Sequence, residues 1–204
     1  MFVTQDIALR FFFSKKKIIN NEFSIPTNSS IILAPTHRSR WDGLVLIMAM
    51  GRRVTNRDCR FMVTKHEMRG IQGWFLKRLG CFSINQLSPS LSALRYAINL
   101  IEKGEQLVVF PEGKINRHGK KLILKEGLYR LARLAAKKTE SITVVPIGIA
   151  YSKVSPKFRS EFCLSFGKPI LINDFLKITI EEFNKFLNKK MAKEEEIALK
   201  NVGR

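Results

Sequence analysis

Along this chain, short unbroken apolar runs alternate with longer stretches in which apolar positions recur at helical spacing. "SIILAP" (30–35) is apolar, rich in β-branched residues and stopped by proline, which predicts a strand buried on both faces. "RFMVT" (60–64), "CFSI" (81–84), "QLVVF" (106–110) and "EFCLSF" (161–166) predict further strands of this kind. "SITVVPIGIAY" (141–151) predicts a long strand whose internal proline implies a sheet edge or a bulge. Between these runs lie the helices. "DGLVLIMAM" (42–50) is apolar on nearly all sides and predicts a buried helix beginning near Asp42. "IQGWFLKRLG" (71–80) predicts a helix closed by Gly80, and Ser88 with Pro89 opens another that runs through "LSALRYAINLIEK" to Gly104. A polar loop rich in Gly and Lys reaches about residue 127 and leads into "LYRLARLAAKK". Thr179 and Glu182 form a capping box at the head of a charged C-terminal helix.

Strands and helices alternating at these lengths predict one α/β domain with a mixed, largely parallel sheet flanked by helices. It would carry an N-terminal amphipathic arm over residues 1–20, with the main domain over 21–204. In the arm, Phe11, Phe12 and Phe13 precede Lys15, Lys16 and Lys17. Aromatics beside a lysine cluster suit the interface of an anionic bilayer. The same pattern suits a helix packed on its own domain with solvated lysines at its end.

Composition adds one strong signal. Lys and Arg number 36 against 17 Asp and Glu, a net charge of +19, which attracts an anionic partner such as a lipid surface, nucleic acid or an acidic protein. No run approaches the roughly 18 apolar residues that span a bilayer. The N-terminal charges follow the apolar stretch rather than precede it, unlike a secretory signal. A peripheral protein on the cytoplasmic face of a membrane is expected. Cys59, Cys81 and Cys163 are odd in number and far apart, which argues against disulfides or a zinc site and suits a reducing compartment. His66 is not followed by a second histidine at metal-binding spacing, and His118 reads as a solvated loop residue.

Two constellations carry possible chemistry. In "APTHRSRWDG" (34–43), His37 falls just past a strand end, where open α/β sheets bind ligands, and Asp42 falls at the next helix start. A carboxylate on one imidazole nitrogen fixes the tautomer and leaves the other nitrogen as a base. Alternatively, Asp42 is only an N-cap and His37 a loop residue. In "VVFPEGK" (108–114), Pro111 stops a strand, Glu112 and Gly113 lie at the same edge, and Lys114, Arg117, Lys120 and Lys121 make the following loop basic. In isolation this could equally be an ordinary strand-to-loop turn.

Together these residues resemble a known family. "HRSRWD" (37–42) looks like the HxxxxD signature of the glycerolipid acyltransferases, the lysophosphatidic acid acyltransferase family. "RLGCFSI" (78–84) resembles its second block, "FPEG" (110–113) the core of its third, "LKEG" (124–127) the step that follows, and "ITVVPIGIAY" (142–151) its fourth. The resemblance covers residues 30 to 151. It departs at Thr36, where the family usually has Asn, and at Asn85 and Gln86, where an arginine normally ends the second block. It departs again at Lys114 and Ile115, where Thr or Ser and then Arg usually follow FPEG.

The resemblance implies an acyltransferase of phospholipid biosynthesis. It would move a fatty acyl group from acyl-CoA or an acyl carrier protein to the hydroxyl of a lysophospholipid such as 1-acyl-glycerol 3-phosphate. Glycerol 3-phosphate or another lysolipid is the alternative acceptor, and a non-catalytic basic membrane- or nucleic-acid-binding protein the remaining rival. No nucleic-acid motif is found in the sequence, so nucleic acid is not the expected partner. His37 would be the general base and Asp42 its orienting carboxylate. Arg38, Ser39, Glu112, Gly113 and Lys114 would bind the acceptor, and neither a metal nor a cofactor would be required.

Overall fold

The apolar runs lie side by side in one sheet. The computed structural model describes residues 2–20, 30–85, 90–118 and 121–204. Its strands are β1 (Phe13–Ile19), β2 (Ser30–Pro35), β3 (Cys59–Thr64), β4 (Cys81–Ile84), β5 (Gln106–Val108), β6 (Ile142–Tyr151), β7 (Ser160–Phe166) and β8 (Ile170–Leu171). Its helices are α1 (Phe2–Phe12), α2 (Asp42–Met50), α3 (Arg52–Thr55), α4 (Gly70–Arg78), α5 (Leu91–Glu102), α6 (Gly127–Ala135) and α7 (Ile180–Asn201). Among the described residues the strand order is β1-β7-β6-β2-β5-β3-β4, with β8 paired to β6 off this path. The β2–β5, β2–β6, β3–β4, β3–β5 and β1–β7 pairs are parallel, and β6 runs antiparallel to β7 and β8. The protein is therefore a single α/β domain with a mixed, mostly parallel sheet.

Helices cover both faces, which is why the central strands are nearly continuous apolar runs rather than alternating ones. On β2, Ile31 and Leu33 pack with Val45, Leu46 and Ala49 of α2, while Ile32 and Ala34 face the layer of α5, α6 and α7. Helix α5 starts after Ser90, whose hydroxyl accepts from the Ala93 N–H; the start expected at Ser88 and Pro89 lies outside the described residues. The capping box of Thr179 and Glu182 opens α7 as expected. Strand β5 is shorter than its apolar run, because Val109 and Phe110 lead into the turn at Pro111. No helix among the described residues is long and apolar enough to cross a membrane.

Two expectations change. Pro146 lies at neither an edge nor a bulge, since β6 is a central strand buried at all ten positions. Its neighbour on one side switches from β8, paired at 143–144, to β7, paired at 147–151. The Pro146 carbonyl accepts from Gly167 N–H at 2.9 Å on that side, so the missing N–H falls where the neighbour changes. Residues 13–19 are the second correction. They form β1, parallel to β7, and so belong to the sheet of the main domain rather than to a separate arm. The lysines 15–17 stand exposed along this edge strand, where charge discourages pairing with another chain. Lys15 pairs with Glu161 at 3.5 Å, and the Lys17 ammonium donates to the Asn201 carbonyl at 2.6 Å. Helix α1 packs on its own domain. Leu9 is buried, and Phe12 at its end stacks on Trp41 with centroids 4.3 Å apart, while Ile7 and Phe11 stay exposed.

Candidate active site

Strands β2 and β5 are parallel neighbours, so the loops after both emerge at the same edge of the sheet. Thr36 extends β2 by one residue. Its N–H donates to the Ile147 carbonyl, and its hydroxyl accepts from the Ile149 N–H, both at 2.9 Å. Threonine thus serves as a buried bridge to β6 where the family usually has asparagine. His37 follows, with its N–H on Glu112 Oε1 at 2.8 Å and its carbonyl accepting from Asn116 N–H at 2.7 Å. Its ring stacks on Phe110, centroids 4.0 Å apart, so the end of the β5 segment walls one face of the imidazole.

His37 Nδ1 lies 2.8 Å from Asp42 Oδ2. Asp42 is fully buried, and the same oxygen accepts the N–H groups of Arg38 at 2.6 Å and Ser39 at 2.9 Å. Oδ1 accepts the Tyr151 hydroxyl at 2.6 Å. Asp42 is therefore not the N-cap of α2. It is the first residue of the helix and turns back to bind the loop that precedes it. An ionised carboxylate only accepts, so Nδ1 must carry the hydrogen and Nε2 is left as the basic nitrogen. Among the described residues Nε2 makes no hydrogen bond, and about a fifth of the side chain is exposed, 20%.

Tyr151 was not singled out in the sequence. Burial first, then the Asp42 charge, pushes its hydroxyl well above the usual tyrosine range, so it stays protonated and donates. A polar hydroxyl at the end of the apolar run "VVPIGIAY" is the signal that could have found it.

Arg38, Ser39 and Glu112, expected to grip the acceptor, are buried with their polar groups bound inside the protein. Arg38 NH1 donates to both Glu112 oxygens, at 2.9 and 3.0 Å, and to the His37 carbonyl at 3.0 Å. Its Nε and NH2 meet the two oxygens of Glu195 on α7, the second at 2.7 Å. Burial alone would lower the Arg38 pKa, but Glu195 and then Glu112 raise it above its ordinary value. Glu112 also accepts from Asn116 Nδ2 at 2.9 Å, and the Ser39 hydroxyl accepts from Trp41 N–H at 3.2 Å. These bonds hold the two loops together. Gly113 has φ 67°, and the Lys125 side chain lies so close that a Cβ there would collide with it. Lys114, Arg117, Lys121 and Arg40 are exposed around this edge, whereas Gln86 and Lys120 lie outside the described residues.

Glu195 was missed as well. Phe183, Leu187, Met191 and Ala198 mark the buried stripe of α7, and Glu194 and Glu195 stand where that stripe passes. Carboxylates on an apolar stripe were the available signal. The thiols offer no nucleophile. Burial pushes Cys59 and Cys81 up to about 12, and Cys163 up to about 11. Among the described residues no cluster of three or more His, Cys, Asp or Glu could hold a metal ion.

The acyltransferase family model matches residues 17–150, which include every residue of this constellation except Tyr151 and Glu195. The chain belongs to the acyltransferase family. It is 28% identical over 173 residues to a 1-acyl-sn-glycerol-3-phosphate acyltransferase of Streptococcus pneumoniae, spanning 83% of this chain and 61% of that relative. An enzyme of the same name from Bacillus subtilis is 25% identical over 81% of this chain and 79% of its own length. The crystal structure of the 1-acyl-sn-glycerophosphate (LPA) acyltransferase PlsC from Thermotoga maritima superposes with TM-score 0.72 at 22% identity. That match covers 96% of this chain and 77% of the other, and shows that the two chains share a fold.

Proposed function

We propose that this acyltransferase moves a fatty acyl group from a thioester carrier, acyl-CoA or acyl carrier protein, to the free hydroxyl of 1-acyl-glycerol 3-phosphate. The observation that carries this reading is the His37–Asp42 pair at 2.8 Å, with Nε2 unclaimed at the ligand-binding edge of the sheet. The acceptor hydroxyl loses its proton to Nε2 as its oxygen attacks the thioester carbon. The Asp42 carboxylate steadies the imidazolium so formed. Collapse of the tetrahedral intermediate breaks the C–S bond, and the proton passes from the imidazolium to the departing sulfur. The step so written draws on no cofactor beyond the two substrates. Lys114, Arg117 and Arg40, exposed near this edge, would attract the acceptor's phosphate in place of the buried Arg38. The names of the two bacterial relatives support lysophosphatidic acid as the acceptor.

The acceptor is a membrane lipid, and the protein would meet it on an anionic leaflet of the cytoplasmic face. The net charge of +19 supports this. So do two sets of exposed apolar side chains: Ile7 and Phe11 with Phe158, and Ile71, Trp74 and Phe75 on α4 beside the basic residues Lys77 and Arg78. Retention on vesicles containing anionic lipid, but not on DNA at moderate salt, is the expected result.

The deciding experiment offers labelled acyl thioester with glycerol 3-phosphate, 1-acyl-glycerol 3-phosphate and other lysolipids to wild type and His37→Ala. Wild type should acylate the monoacylated phosphate preferentially, and the variant should acylate nothing above background. Acylation of no acceptor by the wild-type protein, or full turnover by His37→Ala, would refute the proposal.

A further inference from the structure

Helix α7 lies outside the segment that matches the family model, yet it supplies a carboxylate to the cluster beneath His37. We propose that Glu195 is a positioning residue for catalysis, fixing the His37 loop through Arg38. This rests on His37 being the base of the reaction above.

The argument follows the bonds. Arg38 cannot move without moving the catalytic loop, because its N–H shares Asp42 Oδ2 with the His37 ring and its NH1 holds the His37 carbonyl. One side of its guanidinium is held by Glu112, which belongs to the neighbouring turn and also binds the His37 N–H. The other side is held by Glu195, whose two oxygens match the Nε and NH2 fork. Of the side chains that anchor Arg38, Glu195 alone comes from outside those two loops.

Its own position is set by the sheet. A Cβ on Gly148 of β6 would overlap the backbone where residues 194 and 195 join, so only glycine lets the helix approach this closely. Glu194 Oε2, one residue earlier, accepts from the Ser165 hydroxyl of β7 at 2.6 Å. The close approach over Gly148 sets where the helix reaches Arg38, and the Glu194 bond adds to the hold of α7 on the sheet without a contact to Arg38. Removing the Glu195 charge leaves Nε and NH2 of a buried cation poorly matched, and the loop relaxes toward any geometry that lets Arg38 find water. Displacing a general base by about 1 Å can cost on the order of 10²-fold in rate.

The test compares Glu195→Gln with Glu194→Gln, which loosens the same turn of α7 without touching Arg38. In Glu195→Gln, kcat should fall about 10- to 100-fold with KM for both substrates nearly unchanged. In Glu194→Gln, kcat should stay within about threefold of wild type even if thermal stability drops as far. A second readout does not depend on turnover. Nitrogen NMR of the His37 ring should show the Nδ1–H tautomer in wild type and in Glu194→Gln, and averaged tautomers in Glu195→Gln. Should Glu195→Gln not fold, Glu195→Asp keeps the charge one methylene short and should show the same changes in weaker form. Wild-type rate and an unchanged ring spectrum in the Glu195 variant would overturn the proposal, as would equal damage from Glu194→Gln. A tautomer shift in Glu195→Gln, in a protein that acylated no acceptor, would uphold the positioning role while removing the proposed reaction.

Discussion

Asp42→Asn isolates the charge beneath His37 with almost no change of shape. The amide can take only one useful orientation. Its oxygen must face the His37 ring and the N–H groups of Arg38 and Ser39, since an NH2 there would confront three donors. Its nitrogen then faces Tyr151, whose hydroxyl can turn from donor to acceptor. The loop should hold, and what disappears is the attraction between a carboxylate and the imidazolium that forms as the hydroxyl is deprotonated. At about 4 Å and an effective dielectric of 20 this is worth roughly 4 kcal/mol, and the partial exposure of His37 trims it to about 3. Each 1.4 kcal/mol is about tenfold, so kcat should fall on the order of 10²- to 10³-fold. Initial rates with acyl thioester and 1-acyl-glycerol 3-phosphate, beside a thermal unfolding curve, measure both halves. A folded variant with kcat within about fivefold of wild type would refute the role given to this carboxylate.

The other tests are simpler. Tyr151→Phe removes one donor from the buried Asp42 and should cost about 1.5–3 kcal/mol in urea unfolding, with a smaller rate loss than Asp42→Asn. Asp58 is held below its ordinary value chiefly by its hydrogen bond from Arg52. A depressed carboxylate stabilises the fold above its unfolded pKa and loses that contribution as pH falls through its folded one. Asp58→Asn should therefore cost about 0.5 kcal/mol at pH 7, and the gap to wild type should close as pH falls below the ordinary carboxylate range. With thiol pKa values of about 11 to 12, the cysteines should resist iodoacetamide at neutral pH with no loss of activity, and react only after denaturation.

Much of this could be read from the chain, and the misses share a cause. The buried strands and α2 follow from apolar runs because a sheet covered on both faces needs no polar side. His37 and Asp42 were legible through their spacing and resemblance. What stayed hidden depends on long-range pairing. "FSKKKII" reads as a charged surface segment until β7 is seen beside it. Arg38 reads as a ligand-seeking cation until a glutamate 157 positions away is found to hold it. Glu195 sits in "KEEEIALK", where local composition says solvent and only the registry of the helix on Gly148 says otherwise. Ser39 and Glu112 lie at the edge the sequence indicated, but their internal partners Trp41, His37, Arg38 and Asn116 could not be read from it, since partners are set by the fold.

Strand β6 is mostly apolar on both sides and buried at all ten positions, so oil-and-water sorting gives it little preferred phase against its neighbours. Sliding it by one residue would exchange two greasy surfaces at little cost, yet Tyr151 would then turn away from Asp42. Two residues forbid the slip. Moved one step along, Pro146 would occupy the place of Ile147, which faces β2, and present a nitrogen without hydrogen to that neighbour. Moved at all, Gly148 would leave a side chain jammed beneath α7. The least chemically active residues of the strand thereby act as its index marks, and the alignment of a tyrosine with a buried carboxylate depends on them.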